Sequence, residues 1–190
     1  MAVAAAQIIA DLGLRAHPEG GYFRETYRAA EEVRTPRGPR SAATAILFLV
    51  TAATPSRFHR LLSAEIWLHQ GGAPLELIML SRREGLQAVT LESVGAEDVP
   101  APERAARELR PQALVPALTW QAARVVSDPT ASDSVAAGTG ADGDPGAAED
   151  WSLVSCVVAP GFDYEDFELA RRDDLLSGWP AARELILALT

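Results

Sequence analysis

Phe58-His59-Arg60-Leu61-Leu62-Ser63-Ala64-Glu65-Ile66-Trp67-Leu68-His69-Gln70-Gly71-Gly72 holds two of the chain's three histidines, a glutamate and a tryptophan. Ser56–His59 and Glu65–Gln70 read as short strands around a bend, and Gly71-Gly72 turns the chain into an apolar strand, Leu75–Leu80. Alternation puts Glu65, Trp67 and His69 on one face of their strand. A polar site inside an apolar body is expected here.

Outward from this stretch the strands continue. Tyr22–Tyr27 alternates like a half-buried strand, with Tyr22, Arg24 and Thr26 on one face and Phe23, Glu25 and Tyr27 on the other. Thr44–Val50 is strongly apolar, Leu86–Leu91 is a further strand, and Ala113–Val115 is split from Trp120–Val126 by Pro116. Trp151–Val158 ends at Ala159-Pro160-Gly161. Glu31–Arg40 reads as a polar loop and Asp163–Leu169 as extended or irregular chain. Helices are expected only at the ends, over Val3–Leu12 with Gly13 closing it, and from Pro180 to Leu189. About eight short strands punctuated by turn residues predict an all-β antiparallel sandwich or barrel.

Composition narrows the function. The chain has 190 residues, 48% of them hydrophobic, enough for a sizeable core, and we expect a single domain over 1–190. Net charge is −9, which argues against nucleic acid as a partner. All 17 basic residues are arginine, so Schiff-base chemistry and a Walker lysine are excluded. One cysteine, Cys156, rules out an internal disulfide and a cysteine-rich metal cluster, and it reads as inert core. No apolar run approaches the roughly 20 residues of a membrane helix, and the first residues lack a signal-peptide pattern, so no membrane partner and a cytoplasmic location are expected. Asp128 to Asp150 is acidic and low in complexity, and is expected to be a mobile insertion at 128–150, with recognition as the alternative to a solvated loop.

Several stretches together resemble the cupin superfamily branch known as DUF985, or cupin family 5. They are His17-Pro18-Glu19-Gly20-Gly21-Tyr22-Phe23-Arg24-Glu25-Thr26-Tyr27, Ser41–Thr51, Phe58-His59-Arg60 with Glu65-Ile66-Trp67, Pro74-Leu75-Glu76-Leu77, Val115-Pro116-Ala117 with Trp120-Gln121-Ala122-Ala123, and Val158–Glu168. The resemblance implies a double-stranded β-helix, or jelly roll, with a ligand pocket in the barrel mouth and a homodimeric state. Fold analogy alone carries no reaction. A general cupin holds a divalent metal with two histidines one residue apart, a glutamate and a later histidine. Those positions are His59, Leu61, Glu65 and Gln121 here. The resemblance therefore implies no metal or other cofactor; a divalent metal, if bound, would use His59, Glu65 and Gln121. Leu118 stands where the family usually has glycine, which is expected to alter that turn.

His59 and Glu65 are the candidate catalytic residues, as a proton-transfer pair or as a hydrogen-bonded pair that orients a ligand. Candidate ligand contacts are Tyr22, Arg24, Trp67, His69, Glu76, Trp120 and Gln121. Arg24 offers a fork for a carboxylate or phosphate, with a surface ion pair as the alternative. Glu76 is expected to point into the barrel, and Gln121 both donates and accepts. Trp67 and Trp120 either stack on a ligand or fill the core. His17 reads as a turn residue. The expected function is a small polar ligand, sugar-like or carboxylate, bound in the barrel, with a metal-independent isomerase or epimerase using His59 and Glu65. A non-catalytic binding module and a metal-dependent enzyme are the alternatives.

Overall fold

The computed structural model describes residues 4–83, 86–94, 109–126 and 150–190. Strands dominate, in chain order β1 (Arg15–Ala16), β2 (Tyr22–Arg28), β3 (Glu32–Thr35), β4 (Gly38–Ser41), β5 (Thr44–Thr51), β6 (Ser56–Leu61), β7 (Ala64–Gly72), β8 (Leu75–Arg83), β9 (Leu86–Val94), β10 (Gln112–Val115), β11 (Trp120–Val125), β12 (Trp151–Ala159) and β13 (Phe167–Leu169). Helix α1 spans Ala5–Leu12, α2 Arg172–Gly178 and α3 Arg183–Ala188. The expected insertion at 128–150 lies outside the described residues, apart from Asp150.

Two antiparallel sheets make the all-β jelly roll. One runs β1-β2-β5-β12-β7-β10 and the other β13-β6-β11-β8-β9. Their inner faces meet in an apolar core that includes Phe48, Val50, Trp67, Leu75, Leu77 and Val154. Alternation then sends the neighbouring residues outward, and helices cover them. Ile78, Leu80, Trp120 and Ala122 on the outer side of the second sheet pack under α2 and α3, against Leu175, Trp179 and Ile186. Leu47, Leu49 and Tyr22 on the outer side of the first sheet pack with Ile8, Ile9 and Leu12 of α1. Both sheets are thus apolar on two faces over part of their length, which sequence alternation alone cannot resolve.

Three local expectations need correction. The stretch read as a polar loop is the β3–β4 hairpin, closed where the Thr35 hydroxyl donates to Gly38 O (2.7 Å) and accepts from Arg37 N (3.1 Å). Only Arg40 of its eight strand residues is buried, so no apolar alternation marks them. It is tied down instead by Arg40, which donates twice to the buried Asp166 carboxylate (3.0 and 3.1 Å). Asp166 lies in a short 3-10 turn, Tyr164–Asp166, that leads into β13. The second correction is α2, which carries Asp173 and Asp174 in its first turn, where they suit the helix dipole. The third is Leu118: the turn keeps a left-handed conformation (φ 65°) with leucine in place of glycine, the side chain exposed and the amide donating to Leu61 O at 2.8 Å.

Leu175 is 1% exposed beneath the outer face of the β6–β11–β8 strands. Leu175→Ala should destabilise the protein by about 2–5 kcal/mol in urea unfolding, the range for a large-to-small change in a core. A loss under about 1 kcal/mol would contradict the packing of α2 on the sheet.

Candidate functional site

A cavity of about 370 Å³ opens between the sheets at one end of the barrel. Its walls are apolar, with Phe23, Ile46, Phe48, Leu61, Trp67 and Val158. Its polar floor is His17, Glu19, His59 and Glu65, and Arg15, Glu25, Arg28 and Asp163 also line it.

β6 and β7 deliver the floor from the opening stretch of the sequence. Alternation along β7 turns Glu65 and Trp67 inward. On β6 the register against β11 pairs Gln121 with His59 but Ala123 with Ser56, so one extra residue bulges out of β6. The bulge brings Ser56 and His59 to bear on the same inward-facing group, Glu19. That residue comes from the turn His17-Pro18-Glu19-Gly20-Gly21. Gly20 has φ 113°, and a Cβ there would fall 2.1 Å from Pro55 O; Gly21 has φ 61°. Only glycine lets the turn lie this close to the β5–β6 connection, and that approach carries Glu19 inside, where Arg57 N donates to Glu19 O at 2.8 Å.

Every oxygen of the Glu19 carboxylate is matched. Oε1 accepts from Ser56 Oγ at 2.8 Å. Oε2 faces His17 Nδ1 at 3.2 Å and His59 Nε2 at 3.4 Å. The Nδ1 of His59 is 2.8 Å from Arg57 O. A carbonyl can only accept, so Nδ1 carries a hydrogen and Nε2 is the nitrogen left to exchange a proton. His17 is held by rings, edge-on to Phe23 at 4.6 Å and stacked on Tyr164 at 6.2 Å.

Glu65 is set by a different chain of bonds. The indole N–H of Trp67 can only donate, and it donates to Gln121 Oε1 at 3.0 Å. The amide is thereby oriented, and Gln121 Nε2 donates to Glu65 Oε2. All three groups are buried. Burial is the largest influence on both carboxylates and by itself raises their pKa. For Glu65 it prevails: the nearby His59 and the Gln121 and Trp67 bonds only partly offset it, Glu19 adds to it, and the pKa is raised. For Glu19 the charges of His59 and His17 and the bonds from His17 and Ser56 together outweigh burial, and the pKa is lowered. Cys156 also lines the cavity, and burial, then Glu65 and Glu19, push its thiol well up. It stays a neutral thiol, not a nucleophile.

The donor set does not suit the metal arrangement of a general cupin. Leu61 lines the cavity where a second histidine would stand. Gln121, named with His59 and Glu65 as a possible metal set, already has its oxygen on Trp67 and its amide hydrogens toward Glu65. Among the described residues no group of three or more His, Cys, Asp or Glu is arranged to hold a metal ion.

Of the sequence candidates, His59, Glu65 and Trp67 line the cavity, and Gln121 lies behind it. Five others do not line it. Tyr22 packs outward against the α1 cluster, and Arg24 shares its phase on β2. The cavity takes Phe23 and Glu25 from β2 instead, and then Arg28, because a bulge between Glu25 and Tyr27 shifts the phase. Glu76 pairs across β8–β11 with Arg124, 2.6 Å away, and points out; Ile78 and Leu80, which suggested an inward face, are buried under helices. Trp120 faces the same helices, with the Arg60 guanidinium 4.5 Å over its ring. His69 is one step beyond Trp67 on β7, its Nε2 3.2 Å from Ala73 O. The residues the sequence reading missed are Glu19, His17 and Arg15. The signal for the first two was an acid and a histidine flanking a proline, followed by paired glycines.

The family model described as cupin superfamily (DUF985) matches residues 6–170. A hypothetical protein from Leishmania major is 34% identical and superposes with a TM-score of 0.78, covering 99% of each chain. A protein from Shewanella oneidensis is 28% identical, with a TM-score of 0.76, covering 100% of this chain and 98% of its own. No curated protein matches the chain.

The opposed shifts have opposite effects on stability. Glu65, with its pKa raised above the ordinary 4.5, stabilises fully below that value and loses the contribution as pH rises through its folded pKa. Glu19, with its pKa lowered, stabilises above the ordinary value and loses the contribution as pH falls through its folded pKa. In urea unfolding from about pH 4 to about pH 8, Glu65→Gln should gain on the wild type as pH rises, and Glu19→Gln should fall behind it. Parallel pH profiles for the two variants would contradict the assignment.

Proposed function

The chain belongs to the DUF985 family of the cupin superfamily, and on that premise we propose that its barrel binds a small polar ligand and relocates a proton on it, as a metal-independent isomerase or epimerase. One juxtaposition carries this reading. His59 presents Nε2 to a cavity in which Glu19 is biased to the carboxylate and Glu65 to the acid. Two carboxyl groups driven apart in pKa around one imidazole supply a base, its partner and an acid.

The ligand's carbonyl oxygen sits toward Glu65 and the adjacent C–H toward His59. Nε2 of His59 takes the carbon-bound proton, while Nδ1–H stays on Arg57 O and holds the ring. The Glu19 carboxylate, 3.4 Å from Nε2, stabilises the imidazolium charge as it forms. Glu65 gives its proton to the carbonyl oxygen, so the intermediate is a neutral enol and not an enolate. Gln121 stays on Glu65 and stabilises the carboxylate left behind. His59 then delivers its proton to the former carbonyl carbon, and Glu65 recovers the proton of the neighbouring hydroxyl, which completes an aldose–ketose type isomerisation. No atom or electron is left over. Apolar walls keep water from the imidazolium and the acid.

The test is deuterium uptake at carbon. Hydroxy-aldehydes, hydroxy-ketones and sugars incubated with the protein in D2O should gain deuterium beside the carbonyl, read by NMR. His59→Gln should slow this by about a hundredfold or more with its circular dichroism unchanged. Ligands that stabilise the protein thermally yet never exchange would replace this reading with a non-catalytic binding module. Full exchange in His59→Gln would remove His59 from the chemistry.

A further inference from the structure

We propose that the cavity takes a monoanionic ligand of about six-carbon size, with its carboxylate at the mouth on Arg15 and its uncharged, oxygenated end between His59 and Glu65. This rests on the reading of the cavity as the ligand site.

The floor rejects an anion. Glu19 and Glu65 are both buried there, and no arginine is among the floor residues. The chain has no lysine at all. A ligand carboxylate placed there would be desolvated beside the Glu19 carboxylate. Hydroxyl and carbonyl groups meet no such penalty.

The mouth accepts one. Among the described residues two guanidinium groups line the cavity, Arg15 and Arg28. Arg28 is committed: Nε and Nη2 donate to Glu25 at 3.0 and 2.7 Å, and Nη1 and Nη2 donate to Phe162 O, each at 3.2 Å. Arg15 forms no ion pair among the described residues. Its contact is the face of Phe23, with Cζ 4.9 Å from the ring centroid. Stacking orients the planar fork and leaves its N–H groups available for a bidentate carboxylate. The same Phe23 ring meets His17 edge-on, so a single ring separates the cation from the histidine that shares Glu19.

Charge and size narrow the class further. Asp163 lines the cavity with Arg15, and its negative charge opposes a dianion such as a phosphate monoester. A cavity of about 370 Å³ holds about a dozen waters at about 30 Å³ each. That matches a sugar acid with a comparable number of heavy atoms.

The experiment is calorimetric titration of the full chain with D-galacturonate against D-galactose, D-glucuronate against D-glucose, and glucose 6-phosphate as the dianion. In the wild type at least one acid should bind about tenfold or more tightly than its neutral partner, and more tightly than the phosphate. Arg15→Gln should abolish that preference. Arg24→Gln, equal in charge change but on the outward phase of β2, should keep it. Equal binding of acid and neutral sugar, a preference that survives Arg15→Gln, or no binding of either acid up to about 50 mM would each overturn the proposal. His59→Gln separates this from the proton-transfer reading. Carboxylate preference retained without isotope exchange in any variant leaves Arg15 standing and removes the chemistry. Exchange on neutral sugars without carboxylate preference removes Arg15 and leaves the chemistry.

Discussion

Two carboxylates share one apolar cavity, and burial opposes charge on both. The protein resolves this by giving the hydrogen-bond donors to one of them. Glu19 accepts from the Ser56 hydroxyl and faces the imidazoles of His17 and His59. Glu65 receives the Gln121 amide and the negative potential of Glu19. The first is therefore able to stay ionised and the second is driven to hold its proton. The imidazole of His59 lies in the same cavity and takes its polarity from that difference. Without the unequal sharing of donors, the site would be two similar acids around a ring, with no direction for a proton to move.

The fold supplies the inequality through irregularities in an otherwise regular sandwich. A bulge in β6 brings both Ser56 and His59 to Glu19. A bulge in β2 re-aims Arg28 into the cavity, where it neutralises Glu25. The Gly20–Gly21 turn brings Glu19 in against β6. The 3-10 turn ending at Asp166 is held by Arg40 from the β3–β4 hairpin, and its neighbours Tyr164 and Phe167 pack their rings on His17 and His59. Each device costs regular pairing or conformational freedom, and each sits beside the cavity, where bulges and strained turns commonly serve function.

Sequence reasoning reached as far as periodicity reaches. Alternation along β7 put Glu65, Trp67 and His69 on one face, and turn residues between short strands indicated an all-β antiparallel sandwich or barrel, which the cupin resemblance narrowed to a jelly roll. Glu76 was misplaced because β8 is apolar on both sides, and only the tertiary packing of α2 and α3 distinguishes the face of Ile78 and Leu80 from that of Leu75 and Leu77. Arg15 went unread because a two-residue strand such as β1 leaves no pattern. Glu19 sits in a turn, outside any period, and its role depends on how closely two glycines let the backbone approach. The β3–β4 hairpin escaped notice for a related reason: its anchor is an ion pair with a residue more than a hundred positions away.

The opposed ionisation of Glu19 and Glu65 can be read directly. Carbon-13 NMR of the glutamate carboxyl carbons, assigned with Glu19→Gln and Glu65→Gln, follows each group through a pH titration. The Glu65 carbon should change shift above the usual carboxylate range and the Glu19 carbon below it. Two carbons titrating together, or Glu19 holding its proton at a higher pH than Glu65, would contradict it.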